Sequence, residues 1–361
     1  MSIDVDFSLA LNERTGKFFL GRDVIATLGK RISQIRYGRF HDFPRHDFIR
    51  RVWGRLTYEE TLARACHPTA ALFVPAIRDP RPTLHLDPLS VVRHQLEPGD
   101  IVLCHDVGPI THAQYFARSV DVMYACAYEQ IRQAKPHMVF VSKTSQQEFH
   151  RLFGQGYASS DVIYIPTRAG VTQGQKRRPD GVEQPFLLTV GSVGERKNQA
   201  RCIAAFAASG LAKAGWQYVI VGGPEPGADV AIRLAKQTPG VVMPGYTTDD
   251  ELRWLYNNAS GFVLMSLLEG FGMPVAEATT HDLPCLVSRS SVLMEVGGEA
   301  MLGADPLDPD SIACGMRTLV DMREGERVKR ISQARAHLAQ FAREPILGRW
   351  RQLVDACATP A

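Results

Sequence analysis

The sequence predicts an α/β protein made of two doubly wound, Rossmann-like domains. Three observations carry this. The chain has 361 residues, enough for about two domains that each bury a core. Short runs rich in Val, Leu and Ile recur with little alternation, the pattern of strands covered on both faces. Between them lie segments with apolar residues at three- and four-residue steps, the pattern of amphipathic helices. Strands alternating with helices give a parallel sheet.

In the first half the strand candidates are 3–11 (IDVDFSLAL), 71–75 (ALFVP), 100–106 (DIVLCHD), 138–143 (MVFVSK) and 162–166 (VIYIP). Helices are expected over about 17–29, 57–66, 113–134 and 144–153. Residues 166–185 are polar, bear Gly and Pro, and lack periodicity, so they read as the linker. In the second half, strands are expected at 186–193, 218–223, 241–245, 261–266, 284–289 and 300–305. Helical patterns separate them, with Asp249 and Asp250 placed to cap one helix and Asp308 or Asp310 another. The expected division is 1–170, 186–340 and a closing segment 341–361. Ligands of such sheets bind outside the carboxyl ends of the strands. If the two sets of strand ends face each other, the cleft between the domains is the site.

Composition narrows the function. Apolar residues make up 45% and charged residues 22%, which is ordinary globular usage. A formal net charge of only +3 argues against a nucleic-acid binder, which would carry a strongly basic domain. The seven cysteines form no CxxC pair and read as reduced thiols, not as a disulfide framework or zinc site. The N-terminus lacks the basic and apolar regions of a signal peptide. No apolar run approaches the roughly 18 residues of a membrane span. A cytoplasmic protein is expected, with surface attachment to the membrane left open.

Three motifs carry chemistry. In VGSVGERKNQ (190–199), a buried strand ends at Gly191, Gly194 sits in a turn, and a helix starts near Asn198. Backbone amides at such a junction bind anions, and Arg196 and Lys197 add two positive charges. The pair reads as a diphosphate clamp or as a solvated helix start. Cations at a helix N-terminus oppose the dipole, a cost that an anionic ligand would offset. In SLLEGFGMPVAEA (266–278), Glu269 precedes a Gly270-Phe271-Gly272 loop, Pro274 opens a helix, and Glu277 is expected in its first turn. Two carboxylates so placed can hold different hydroxyls of a polar ligand or act as an acid–base pair. A helix-start Glu favoured by the dipole is the plainer reading. In DIVLCHDVGPITH (100–112), His105 and Asp106 stand at a strand's carboxyl end, where a His is either structural or meets a ligand.

The run GSVGERKN followed by PGYTTDDELRWLYNNASGFVLMSLLEGFGMPVAEA resembles the retaining glycosyltransferases of family four, which have the GT-B fold. The resemblance covers about 186–340, and EGFGMPVAE matches that family's E-x7-E motif. IDVDFSLALNERTGKFFLGRDVIATL resembles the family's first strand and glycine loop, with Gly16 at the loop position and GKFFLGR in place of the commoner run. The closing FAREPILGRWRQLVDA resembles the helix that crosses back to the first domain. The resemblance implies roles. Arg196 and Lys197 neutralise the donor diphosphate and Glu277 binds the ribose. Glu269 and His105 contact the sugar. The amides around Phe271, Gly272 and Met273 hold sugar and phosphate beside Gly191 and Gly270. Gly16 lets the first loop approach the phosphates, and Gly245 and Tyr246 border the base. It also implies a nucleotide-sugar donor, GDP-mannose or UDP-glucose, with a lipid-linked or polysaccharide acceptor. Arg and Lys can stabilise the departing diphosphate, so no metal is expected. A sugar-nucleotide epimerase of the same fold and a non-catalytic binder remain alternatives. A dinucleotide oxidoreductase is disfavoured, since no GxGxxG follows the first strand.

Residues 30–55 hold eight Lys or Arg against two Asp, interleaved with Tyr37, Phe40, Phe43, Phe48 and Trp53. This suits contact with anionic lipid or a lipid-diphosphate acceptor; an amphipathic helix with core aromatics is the plain alternative.

Overall fold

The structure is a computed structural model and describes residues 2–12, 16–67, 74–167, 174–289 and 291–357. The chain divides into two compact units, Met1–Pro166 with Arg343–Ala361, and Thr167–Ala342.

The first unit is a six-stranded sheet of β1 (Ile3–Asp6), β2 (Ile32–Arg36), β3 (Thr83–His85), β4 (Ile101–Cys104), β5 (His137–Phe140) and β6 (Ser159–Val162). The strands are all parallel and run β2-β1-β3-β4-β5-β6 across the sheet. The helices are α1 (Gly16–Leu28), α2 (Asp47–Cys66), the single-turn α3 (Gly108–Thr111), α4 (Val120–Ala134) and α5 (Lys143–Phe153). Val102, Cys104, Tyr128, Phe140 and Phe149 centre one core.

The second unit contains β7 (Phe186–Val190), β8 (Gln217–Val221), β9 (Val241–Gly245), β10 (Gly261–Leu264), β11 (Cys285–Ser288) and β12 (Leu302–Ala304). All are parallel, in the order β12-β11-β10-β7-β8-β9. Around them lie α6 (Gln199–Ser209), α7 (Ala228–Gln237), α8 (Asp249–Asn258), α9 (Met273–Thr280), α10 (Val292–Gly297), α11 (Pro309–Val320) and α12 (Glu324–Leu338). The predicted α/β class with two doubly wound parallel sheets is what the protein has. Strand order reverses between β1 and β3 in the first unit and between β7 and β10 in the second, and such switch points are where open α/β sheets bind ligands.

The final helix, α13 (Arg343–Cys357), belongs to the first unit. Ile346, Leu347, Trp350 and Val354 form its buried stripe. Arg343 pairs with Asp23 at 2.8 Å and Asp355 with Arg31 at 2.7 Å, which ties both ends to α1 and the turn that follows it.

Several boundaries differ from the sequence reading. The first strand stops at Asp6, because Asp6 Oδ1 accepts from the Ser8 amide at 2.9 Å and turns the chain into a 3₁₀ helix, Ser8–Leu11. The helix expected from 57 begins at Asp47, and the one expected over 113–134 is a 3₁₀ turn, Ala113–Tyr115, followed by α4, with α3 ending before it. The strand placed at 162–166 ends at Val162. The candidate at 71–75 falls mostly outside the described residues, and Val74 and Pro75 are not in a strand. Thr248, not Asp249 or Asp250, caps α8, in a capping box with Glu251. Asp308 caps α11 as expected.

Candidate active site

In the second unit the charged motif residues meet at the switch point. The turn after β7 is a single 3₁₀ turn, Glu195–Lys197, and Asn198 adopts a left-handed φ of 62° before α6 begins. Asn198 Nδ2 donates to the carbonyls of Met265 and Pro306 at 3.0 and 2.7 Å, which fixes this turn against the end of β10. Lys197 Nζ lies 2.5 Å from Glu269 Oε1, and the Ser266 hydroxyl donates to the same oxygen at 2.8 Å. Burial alone would raise the Glu269 carboxyl, but the Lys197 and Arg196 cations outweigh it and hold it below the usual carboxylate range. Arg196 Nη1 stands 3.9 Å from Glu269, while Nη2 donates to both oxygens of Glu225 at 3.0 Å. Two cations and two carboxylates therefore share one patch.

Gly272 has a φ of +92° and is the residue from which α9 starts; an added Cβ there would meet Leu293 Cδ2 at 2.3 Å. Because the helix begins at Met273, Glu277 lies beyond the first turn, correcting the sequence reading. It is buried in α9 and accepts from the Tyr256 hydroxyl at 3.0 Å, so a helix-dipole role is replaced by a directed hydrogen bond. The side chain of Phe271 is 3% exposed and meets Phe341 edge-on, so only its backbone is left for a ligand. Gly191 closes β7 with a φ of +148°, and Gly245 closes β9 with a φ of +84°. Tyr246 beyond it is 89% exposed.

In the first unit, His105 follows β4 and is 5% exposed. Its Nε2 lies 3.1 Å from the Leu86 carbonyl, which assigns the proton to Nε2. Burial, and then the Lys17 charge, push its pKa down to about 4, so the ring is neutral with Nδ1 as an acceptor. Lys17 Nζ donates to Asp87 Oδ2 at 2.9 Å and to the Tyr124 hydroxyl at 3.1 Å. Lys17 in the first turn of α1 and Asp87 just past β3 thus pair at this unit's switch point. Gly16 is the first residue of α1, not a loop residue, and Glu13–Thr15 lie outside the described residues. Sequence reading did not single out Lys17, Asp87, Tyr124, Tyr256 or Glu225. The capping pattern at Asp87, followed by Pro88, was the one local signal.

The basic stretch divides in the structure. Arg31, Arg36 and Arg39 pair with Asp355, Asp79 and Glu60, and Arg50 bonds the Leu11 carbonyl at 2.8 Å. Phe40 stacks on Trp53 at 3.8 Å, and Tyr37 meets Phe43 edge-on. The outer face of α2 is different. Its inner side buries Gly54, Thr57 and Thr61, while Phe48, Val52 and Leu56, at four-residue steps, are 71%, 40% and 57% exposed. No helix among the described residues is long and apolar enough to cross a membrane.

Two Rossmann-type parallel sheets, with charged side chains paired at their switch points, define the α/β class of the protein. Residues 173–337 match the family model Glycosyl transferases group 1. The chain is 27% identical to the O-antigen chain mannosyltransferase B of Escherichia coli over 264 residues, 69% of this chain and 68% of that one. It is 38% identical to an uncharacterized glycosyltransferase of Methanocaldococcus jannaschii over 84 residues, 22% of each chain. Among solved structures, the sucrose-phosphate synthase of Thermosynechococcus elongatus superimposes with a TM-score of 0.69 at 17% identity, covering 99% of this chain and 98% of that one. HepE of Anabaena, solved with UDP and glucose, gives 0.67 at 16% identity and covers 99% and 100%. The second unit is a group 1 glycosyl transferase domain, and the protein is a glycosyltransferase with the GT-B fold.

Proposed function

We propose that the protein is a retaining, family-four hexosyltransferase that moves mannose from GDP-mannose to a lipid-linked or polysaccharide acceptor in bacterial cell-surface glycan synthesis. The observation that carries the transfer chemistry is the gathering of Arg196, Lys197 and Glu269 at the switch point of the second unit. The mannose assignment is supported by the E. coli relative, an O-antigen chain mannosyltransferase. A glycosyl diphosphate leaves with growing negative charge while the sugar becomes oxocarbenium-like. Fixed cations in a partly buried patch stabilise that charge without reorganising. Arg196 and Lys197 do this, and no divalent ion is required of the mechanism. Glu269, kept ionised by its cations, contacts the transferred sugar. Glu277, oriented by Tyr256, holds the ribose. Gly191, Gly270 and the amides of Phe271, Gly272 and Met273 line the phosphates and sugar, and Tyr246 borders the base. In the first unit, neutral His105 contacts the donor sugar and Gly16 opens the phosphate-facing helix.

Peripheral binding to an anionic membrane at the cytoplasmic face is part of this reading, and the exposed Phe48–Val52–Leu56 ridge with Arg51 and Arg55 beside it supports it. Transfer from radiolabelled GDP-mannose and from UDP-glucose to extracted bacterial lipid-linked glycans tests the activity. Incorporation from GDP-mannose supports the reading; incorporation from UDP-glucose alone reassigns the donor; none from either overturns it. Flotation with phosphatidylcholine vesicles, with and without phosphatidylglycerol, tests the membrane surface. Phe48→Ser with Leu56→Ser removes binding to the anionic vesicles if the ridge is the contact; unchanged flotation assigns that face another role.

A further inference from the structure

We propose that Glu225 sets the donor affinity of the site by acting as an internal counter-ion to Arg196, holding the place that a donor phosphate takes. This rests on the reading of Arg196 as a diphosphate ligand. Both carboxylate oxygens of Glu225 lie 3.0 Å from Arg196 Nη2. The contact is built into the backbone. Glu225 follows β8 in a loop laced to the loop after β7: the Gly191 amide donates to Val221 O at 2.9 Å, the Val193 amide to Gly223 O at 2.8 Å, and the Glu225 amide to Val193 O at 2.7 Å. The two loops touch so closely that a Cβ on Gly194 would stand 3.0 Å from both Glu225 Cβ and Pro226 O. At Gly222, with a φ of +150°, a Cβ would fall 1.9 Å from Gly191 O. The carboxylate is therefore delivered to the arginine by a rigid platform.

Charge decides which carboxylate yields. Arg196 and Lys197 are balanced by Glu225 and Glu269, so the patch is formally neutral before any ligand arrives. A nucleoside diphosphate brings at least two negative charges. Glu269 is held by Lys197 and Ser266 with 9% of its side chain exposed, whereas the Glu225 side chain is 33% exposed. Glu225 is the one that gives way. Arg196 exchanges one charge-assisted bond for another, so the arginine is pre-aimed while the net gain on binding is held down. The nucleoside diphosphate product is released more readily for the same reason.

The test is calorimetric binding of GDP and UDP to the full chain as wild type, Glu225→Gln, Arg196→Gln and the double variant. Glu225→Gln keeps the side chain's shape and removes its charge. Its Kd for the nucleotide that wild type binds should fall roughly threefold or more, the scale of one partly exposed ion pair. That gain should vanish in the Arg196→Gln background. Glu225→Ala serves as a second variant if Glu225→Gln folds poorly, since the backbone bond to Val193 is retained in both. Equal or weaker binding by folded Glu225 variants, with wild type binding normally, overturns the counter-ion role alone. Folded wild type that binds neither nucleotide overturns the diphosphate reading and this inference with it.

Discussion

The imidazole of His105 shows how one residue's chemistry is set from several strands. Its Nε2–H is fixed by Leu86 O on the neighbouring strand end, and burial with Lys17 holds the ring neutral, with a pKa near about 4. Lys17→Met removes the cation whose charge lowers His105, and the His105 titration followed by NMR should move upward. A value that stays or falls would separate Lys17 from His105. Lys197→Ala should lower kcat by about 10²–10³, the usual cost of removing one group aimed at developing negative charge, with turnover on labelled donor as the readout. The sequence made Arg196, Lys197, Glu269, Glu277 and His105 legible because each stands in a local run with Gly at a strand end. It did not reveal Lys17–Asp87, Arg196–Glu225 or Tyr256–Glu277. Those pairs join residues separated by 70, 29 and 21 positions, and such pairings depend on strand order.

At the scale of elements, the turns into the helices carry the site. Gly272 combines a left-handed φ with contact against Leu293. Gly272→Ala should cost about 1–3 kcal/mol through strain and overpacking, measured by urea unfolding, and should displace Glu269 and Glu277 relative to each other. The four inner strands of the second unit, β7, β8, β10 and β11, were legible because they are largely apolar runs buried on both faces, and the edge strands β9 and β12 kept an apolar run although they are partly exposed. Two strands of the first unit were not. β2 reads ISQIR, a partly exposed edge strand whose polar residues hide it, and β3 reads TLH, too short to show a pattern. Helix α13 was legible only through resemblance, since nothing local says that a C-terminal helix packs with the first unit. Trp350, fully buried there, should cost about 3–5 kcal/mol when replaced by Ala. Calorimetry should show that loss in the transition of the first unit.

For the whole molecule, a buried ionic chain makes stability depend on pH. His94 places Nε2 3.0 Å from Asp6 and Nδ1 3.0 Å from Asp79, so both nitrogens donate and the ring is an imidazolium. Arg93 and Arg36 complete the chain at 3.3 and 2.6 Å. Burial would depress His94, but its bonds to Asp6 and Asp79 raise it above 6.5. A raised folded pKa means that this stabilisation is complete below about 6.5 and is lost as pH rises through the folded value. Asp79, lowered to about 2 against burial by His94 and Arg36, has the opposite sign. Its contribution is complete above 3.8 and fades as pH falls toward about 2. His94→Gln should therefore reduce the loss of stability between about pH 6 and about pH 9 in urea unfolding. An unchanged alkaline slope would show that His94 is not the titrating group.

On the proposed function, the switch point of the second unit binds the diphosphate of a sugar nucleotide. A thermal-shift comparison of wild type and Lys197→Ala against GDP, UDP, GDP-mannose and UDP-glucose tests it most directly, because a ligand that binds only the folded state raises its melting temperature. GDP and GDP-mannose should stabilise wild type, and Lys197→Ala should lose most of that stabilisation. Flat curves for every nucleotide, or equal shifts in both proteins, would contradict it.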